Sequence, residues 1–177
     1  MIIFVADAFV DEYVGGAELT TEAIISSSLL PSARIRSAEV TQELMADMKH
    51  CFWVFGNFAS LKEDCMLYAI KNLNYSVLEY DYKYCMFRSP GKHRKALGQC
   101  DCHETTAGRL RALFLAKSKI NWWMSDNQRE KQKELFPFLA GQTLSSVFSH
   151  GTLNYIESLD IQNKDDKWII LNSKSWI

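Results

Sequence analysis

Two adjacent glycines, Gly15 and Gly16, are the first residues in the chain whose type and position suggest chemistry. They follow the apolar run of residues 1–9 and precede Ala17 and Glu18. Glycine accepts positive φ and lets a ligand approach the backbone, and a helix that begins here leaves unpaired N–H groups at its positive end. The sequence therefore predicts a phosphate-binding turn, although glycine also serves such turns for geometry alone.

Two carboxylates are expected close to this turn. Asp7 lies in the first apolar run, so it should sit near the same edge of a sheet. Glu18 falls in the first turn of the following helix, where the helix dipole favours a negative charge in any case. A structural role and a functional role stay open for both.

A basic segment occupies the middle of the chain. Every charged side chain from residue 83 to residue 95 is lysine or arginine, with one histidine among them. A solvated loop and a surface for a diphosphate or an acidic acceptor both fit this pattern. Nucleic acid is not expected, because a chain with pI of about 6.4 lacks an overall basic footprint. The candidate acceptor- or anion-binding residues are Asp7, Lys83, Arg88, Lys92, His93 and Arg94.

The same region contains candidate metal ligands. Cys100, Cys102 and His103, with Cys85 and His93 nearby, are ligand types that zinc prefers. Their spacing is not that of a common zinc finger, and thiols in a reducing compartment need no metal. The main prediction is therefore no metal, with zinc on Cys85, Cys100, Cys102 and His103 as the alternative.

Composition bounds the class of protein. The chain has 177 residues, 47% hydrophobic and 23% charged, with a net charge of −1. These values are typical of one globular domain, with or without the edge of another. No apolar run approaches the roughly 20 residues that span a bilayer, and no secretion signal opens the chain. With an odd number of cysteines, five, we expect reduced thiols and a cytoplasmic protein.

The strands and helices that must position these residues can be predicted from apolar runs that alternate with helical patterns. This alternation predicts an α/β fold, a Rossmann-like three-layer sandwich with a mainly parallel sheet and ligands at the carboxyl ends of its strands. The predicted strands span residues 1–9, 32–38, 51–55, 75–82, 120–124 and 143–148. The predicted helices span residues 17–28, 41–49, 61–73, 105–116 and 126–135, and residues 83–104 are predicted to be a long loop.

The last part of the chain suggests a boundary. Residues 1–150 form the predicted N-terminal domain, and the polar stretch 150–167 resembles a linker. Trp168–Asn172 then has the composition of a buried strand. That strand could open a C-terminal domain that is truncated or missing, or it could join the first sheet; both interpretations stay open.

Three segments together resemble a known family. Gly15-Gly16-Ala17-Glu18 after the first strand is similar to the G-G-A-E turn in the N-terminal domain of GT-B glycosyltransferases, in the large retaining family 4 that includes sucrose synthase-like and mannosyltransferase enzymes. Residues 81–85 (D-Y-K-Y-C), with Gly98-Gln99-Cys100 further on, resemble that family's H-D-Y-x-x-x-C-P segment. Residues 120–125 (I-N-W-W-M-S) resemble its strand before a charged helix.

The resemblance implies one half of a GT-B architecture. Such a domain binds the acceptor, while a C-terminal domain holds most of a UDP- or GDP-sugar. Gly15, Gly16 and Glu18 would contact the donor's diphosphate or sugar, and the acceptor would be a small molecule, a glycan or a lipid. No cofactor is expected in this domain, the catalytic residues are not assigned, and the domain should be inactive alone.

Two departures from the family pattern stand out. Glu79-Tyr80 replaces the family's histidine before D-Y, and Met86 replaces the proline after the cysteine. The first functional hypothesis is a hexosyltransferase domain. The alternative is a stand-alone Rossmann-like module that binds a ligand or partner without catalysis.

Overall fold

A six-stranded, all-parallel sheet forms the centre of the computed structural model, which describes residues 1–145 and 147–159. The strands are β1 (Ile2–Ala6), β2 (Ser32–Arg36), β3 (Phe52–Phe55), β4 (Asn74–Glu79), β5 (Asn121–Trp123) and β6 (Gly141–Thr143). The helices are α1 (Gly16–Ser27), α2 (Gln42–Asp47), α3 (Glu63–Asn72), α4 (Pro90–Leu97), α5 (Thr106–Lys117), α6 (Asp126–Leu135) and α7 (His150–Ser158). The strand order is β2-β1-β3-β4-β5-β6. This confirms the predicted α/β sandwich.

The near-continuous apolar sequence of β1 follows from helices on both faces of the sheet. Ile3 and Val5 belong to the larger core cluster, to which α2, α3 and α5 contribute. Phe4 and Ala6 belong to a smaller cluster, against which Ile24 of α1 packs. Because successive side chains of a strand point to opposite faces, a strand covered on both sides has no polar face.

Aromatic side chains fill the larger core. The ring of Phe114 in α5 lies 5.1 Å from that of Phe55 and 4.6 Å from that of Tyr75, measured between centroids. The Tyr75 hydroxyl donates a 2.6 Å hydrogen bond to the carbonyl of Phe114. A buried tyrosine hydroxyl needs such a partner, so this bond fixes α5 against β4.

The β4–α5 segment, residues 80–105, differs most from its prediction. The loop predicted for residues 83–104 contains α4, and a 3-10 turn covers Cys102–Glu104. Ser89 caps α4 by accepting from the N–H of Lys92, Pro90 follows at the first helical turn, and Gly98 ends it with φ of 85°. The periodicity signal failed because α4 has almost no apolar face: only Pro90 and His93 are buried.

A buried ion pair holds the start of this segment. Glu79 at the end of β4 is fully buried and Lys83 is 5% exposed. The Lys83 Nζ lies 3.1 Å from Glu79 Oε2, and the Lys83 backbone N–H donates to Glu79 Oε1 over 3.0 Å. Burial raises the pKa of Glu79, while the Lys83 ammonium and two hydrogen bonds oppose that rise. The pair replaces hydrogen bonds that water would otherwise supply.

Two glutamines of α6 complete the polar network. Gln132, fully buried, donates to Glu79 Oε1 over 3.0 Å and accepts from the indole N–H of Trp123. Gln128 donates to the carbonyls of Glu79 and Asp81, each over 3.0 Å. The charged sequence of α6 predicts a mostly solvent-exposed helix, and these two amides are the exception that anchors it.

The sheet ends in two different edges. At one edge, β2 exposes alternate residues, and Arg34 and Arg36 bind Glu22 and Glu12 over 2.6 Å and 2.9 Å. At the other, β6 has only three residues. The stretch that resembles a linker contains α7, and the predicted strand Trp168–Asn172 lies outside the described residues.

The buried pair gives a stability prediction. Lys83→Met should lower the free energy of unfolding by about 3–5 kcal/mol, because it leaves the Glu79 carboxyl without its cation. Adding Glu79→Gln should recover most of the loss, since an amide oxygen still accepts from the backbone N–H of residue 83. Denaturant unfolding of both variants measures this.

The control is Lys95→Met, at an exposed position of α4, for which a change within about 0.5 kcal/mol is expected. A Lys83→Met variant as stable as the control would contradict the structural role given to the pair.

Candidate functional site

An open cleft of about 1040 Å³ lies at the carboxyl ends of β1, β3 and β4. Three regions meet there: the Gly15-Gly16 turn, the residues after β3 and the β4–α5 segment. The residues that line the cleft are Asp7, Tyr13, Val14, Gly15, Gly16, Ala17, Glu18, Asn57, Tyr80, Asp81, Tyr82, Phe87, Arg88, Ser89, Lys92, Met124, Ser125 and Gln128. The lining is mixed, with carboxylates, amides, two cations and aromatic rings.

The strand order explains why the cleft forms here. From β1 the chain crosses to β2 on one side and then returns to β3 on the other. Connections leaving β1 and β3 therefore diverge and leave a crevice above the sheet. In open α/β sheets this reversal point is where ligands bind.

The first turn of α1 forms one wall. Gly15 is its N-cap in an extended conformation, and no side chain caps the helix; the first helical bond runs from the N–H of Leu19 to the carbonyl of Gly15. The N–H groups of the first turn have no partner within the helix. A Cβ added at Gly16 would meet no atom within 4 Å, so this position opens into free space.

Gly15 is more confined than its neighbour. A Cβ there would lie 2.6 Å from Oε2 of Glu18 and 2.8 Å from the ring of Tyr13. Glu18 itself is 9% exposed, and Asn57 donates to its Oε1 over 3.5 Å. The Glu18 carboxylate therefore covers the Gly15 side of the helix start, and only the Gly16 side is open to a ligand.

Arg88 links the ends of the three central strands. Its guanidinium lies 2.6 Å from Asp81 after β4, donates to Asn57 after β3 over 2.8 Å, and lies 3.6 Å from Asp7 after β1. Arg88 has φ of 55°, a left-handed conformation that is uncommon for a residue with a side chain. Strained backbone of this kind persists where the surrounding contacts hold it, and is frequent in functional sites.

Asp7 is the acceptor at the end of β1. Its carboxylate accepts from the N–H groups of Ala59 and Ser60 over 2.9 Å and 3.1 Å, and from the Ser37 hydroxyl. Burial would raise the pKa of Asp7, but these hydrogen bonds and the Arg88 charge outweigh it, so the pKa lies below the ordinary 3.8. Asp7 is therefore ionised in the folded protein and holds the turn that follows β3.

The predicted site residues divide into two groups. Gly15, Gly16, Glu18 and Asp7 all line the cleft. From the basic segment, Arg88 and Lys92 join them. The other three, Lys83, His93 and Arg94, do not line the cleft.

Lys83 is buried in its ion pair rather than exposed to an anion. His93 is 7% exposed and packs among cysteines. Arg94 lies beside Tyr84 and Lys131, over a different and smaller cavity. Tyr80, Asp81 and Gln128 are among the cleft residues that were not predicted as site residues. The available signal for Tyr80 and Asp81 was their position directly after β4.

A second cluster lies within the β4–α5 segment. The side-chain ligand atoms of Cys85, His93, Cys100 and Cys102 all lie within 4.8 Å of one another. The Cys85 and Cys102 sulfurs are 3.5 Å and 3.3 Å from Nδ1 of His93, and the Cys85 and Cys100 sulfurs are 3.6 Å apart. All five cysteines of the chain are unpaired.

His103 does not belong to this cluster, although it follows Cys102 directly. Its Nε2 lies 3.6 Å from the carboxylate of Glu104. The fourth member is His93, which α4 carries into the cluster. Burial, and hydrogen bonding from the thiol of Cys100, raise the pKa of the Cys85 thiol to about 12, against the opposing effect of a backbone hydrogen bond from Phe87.

Comparison of the chain with protein-family models, with curated proteins and with solved structures found no match. Within residues 1–145 and 147–159, no helix is both long enough and apolar enough to cross a bilayer. The cleft, and the sequence segments that line it, are therefore the features from which a function can be inferred.

The Asp7 contacts give a pH-dependent prediction. Asp7→Asn should lower the free energy of unfolding by about 1–3 kcal/mol near neutral pH, because an amide N–H₂ would face N–H donors. Since the folded pKa is lower than the unfolded one, the contribution of Asp7 is present above the unfolded pKa and is lost as pH falls through the folded pKa. The difference between the two proteins should therefore shrink below about pH 4.

Denaturant unfolding at several pH values measures the difference. The control is Asp47→Asn, at an exposed position of α2, which should show no comparable pH-dependent gap. A gap that stays constant from neutral to acid pH would show that the Asp7 charge is not what the fold uses.

Proposed function

We propose that this chain is the acceptor-side, N-terminal domain of a nucleotide-sugar-dependent glycosyltransferase of the GT-B type. The observation that carries the proposal is the open position at Gly16, where a helix start faces a polar cleft at the reversal point of a parallel sheet. The same glycine belongs to the segment that resembles the family's G-G-A-E turn. Fold, cleft and sequence segment therefore agree on one location.

The chemistry of the cleft suits a glycosyl group beside a diphosphate. Asp7, Asp81 and Asn57 make the lining polar, and Arg88 binds all three of them. The rings of Tyr13 and Phe87 add apolar surface for the carbon skeleton of a sugar. Two cations, Arg88 and Lys92, line the same cleft as the helix start.

In this proposal, the N–H groups near Gly16 stabilise negative charge on the donor. Glycosyl transfer separates a positively charged sugar ring from a leaving diphosphate, and preorganised donors at that position lower the barrier. Carboxylates in the cleft would favour the developing positive charge. The acceptor would enter along the wall formed by the β4–α5 segment, and the resemblance assigns the donor's base to a C-terminal domain.

The first test is a titration with UDP and with GDP, in which binding is monitored through the amide NMR signals of residues 14–18. Either nucleotide should shift these signals, and uridine and guanosine, which carry no phosphate, should not. A titration that leaves residues 14–18 unchanged would contradict the proposal. The stand-alone binding module would instead show perturbation by a ligand without a diphosphate.

A matched pair of glycine variants provides the second test. Gly16→Val fills the open space at the start of α1 and should weaken nucleotide binding about tenfold or more, since contacts of an anion with a helix start contribute up to about 2 kcal/mol. Gly91 also lies in the first turn of a helix, and a Cβ added there would likewise have nothing within 4 Å, but it lies outside the cleft. Gly91→Val should bind like the wild-type protein.

Thermal unfolding shows whether both variants keep the fold. Equal loss of binding in the two variants, or full binding in Gly16→Val, would argue against the site.

A further inference from the structure

We propose that Cys85, His93, Cys100 and Cys102 bind a structural Zn²⁺ ion. They are the ligand types that zinc prefers, three thiolates and one imidazole, and four such ligands complete its tetrahedral shell. Cys85, Cys102 and His93 are buried and Cys100 is half-buried, so the centre is shielded from solvent. This inference does not depend on the proposed function of the cleft.

The distances match a tetrahedron around one ion. Zinc binds sulfur at about 2.3 Å and nitrogen at about 2.0–2.1 Å, which places sulfurs about 3.8 Å apart and sulfur about 3.6 Å from nitrogen. The cluster has sulfur–nitrogen distances of 3.5 Å and 3.3 Å and a sulfur–sulfur distance of 3.6 Å. All four ligand atoms lie within 4.8 Å of one another, so the remaining distances exceed those of an ideal tetrahedron by at most about 1 Å.

A disulfide would not produce this arrangement. The Cys85 and Cys100 sulfurs are 3.6 Å apart, whereas a disulfide bond joins sulfurs at about 2.05 Å. Nor would a disulfide explain why His93 presents Nδ1 to two different thiols. Four convergent ligands from different parts of one segment point to a shared partner.

The ion would supply stability that the segment otherwise lacks. Cys85 precedes α4, His93 lies within it, and Cys100 and Cys102 follow it, so one ion would join both ends of the helix and its middle. Apolar packing cannot do this, because His93 and Pro90 are the only buried residues of α4. Structural zinc commonly replaces a hydrophobic core in such small units.

Two backbone N–H groups are directed at sulfur atoms of the cluster. The backbone N–H of Met86 donates to the Cys102 sulfur over 3.5 Å, and that of Phe87 donates to the Cys85 sulfur. Three thiolates and one neutral imidazole around Zn²⁺ leave a net charge of −1. The bases of α4, which has no acidic residue, offset that charge. The negatively charged zinc centre would thus be a partner, within the protein, for part of the basic segment.

Packing also fixes the positions of two ligands, His93 and Cys102. The Phe87 ring stacks on the His93 imidazole with centroids 4.6 Å apart. A Cβ at Gly108 of α5 would lie 1.8 Å from the carbonyl oxygen of Cys102, so only glycine permits the close approach that places Cys102. Because all four positions of the ion are filled by protein, the site has no vacancy for catalysis and is structural.

The test is metal content of the wild-type protein, produced with Zn²⁺ present and measured by elemental analysis after gel filtration. One zinc ion per chain is expected. Replacing it with Co²⁺ should give the visible d–d absorption of a tetrahedral, thiolate-bound ion. A chelator should lower the melting temperature of the wild-type protein.

Two histidine variants form a matched pair. His93→Gln should lose the zinc and the chelator-dependent change in melting temperature. His103→Gln, ten residues further along and outside the cluster, should keep both. Cys100→Ser and Cys51→Ser give the same comparison for thiols, since Cys51 lies in the core far from α4 in sequence and outside the cluster.

Three results would overturn the inference: wild-type protein that binds neither Zn²⁺ nor Co²⁺, equal metal loss in His93→Gln and His103→Gln, or a Cys85–Cys100 disulfide in protein purified without oxidant. The cobalt spectrum of the wild-type protein decides the question even where a variant does not fold.

Discussion

The carboxylate of Glu79 is the constraint on which this structure depends. It is fully buried at the end of a central strand, where an unpaired charge would be very costly. Lys83 and Gln132 satisfy it, and each belongs to a different part of the chain. One buried group thereby fixes where the β4–α5 segment starts and how α6 packs. Both the cleft wall and the thiol cluster are carried by that segment.

The cleft and the thiol cluster are connected through Phe87 and Arg88. Phe87 lines the cleft and stacks on His93, and the next residue, Arg88, binds the ends of three strands. A change in the packing of His93 would therefore move Phe87 and alter the left-handed backbone conformation of Arg88. The thiol cluster is therefore in contact with a residue that lines the cleft.

Much of the fold follows from the sequence because apolar runs and glycine turns report local structure. The first five strands and the start of α1 were predicted within a few residues, and Gly15, Gly16, Glu18 and Asp7 do line one cleft. The last strand was wrongly predicted at residues 143–148: β6 lies at Gly141–Thr143, and its sequence G-Q-T has no apolar residue to indicate a strand. The α4 helix was missed because it packs almost no apolar surface, although Ser89-Pro90 and Gly98 are ordinary start and stop signals.

Other features could not be predicted because they depend on contacts between distant residues. Nothing local distinguishes Lys83, which is buried, from the exposed bases that follow it. Adjacency in sequence favoured His103 as the partner of Cys102, but the α4 helix brings His93 there instead. The buried amides of Gln128 and Gln132 lie in α6, a strongly polar helix whose composition indicates full exposure.

The two edges of the sheet have a consequence for how copies of this chain meet. Open strand edges are templates on which another chain can add a strand. Here β2 presents Arg34 and Arg36, each held by an acidic partner, and β6 is too short to guide a long pairing. The charged residues of β2 and the short length of β6 therefore disfavour edge-to-edge pairing of sheets from different copies of the chain, which would lead to aggregation at high concentration.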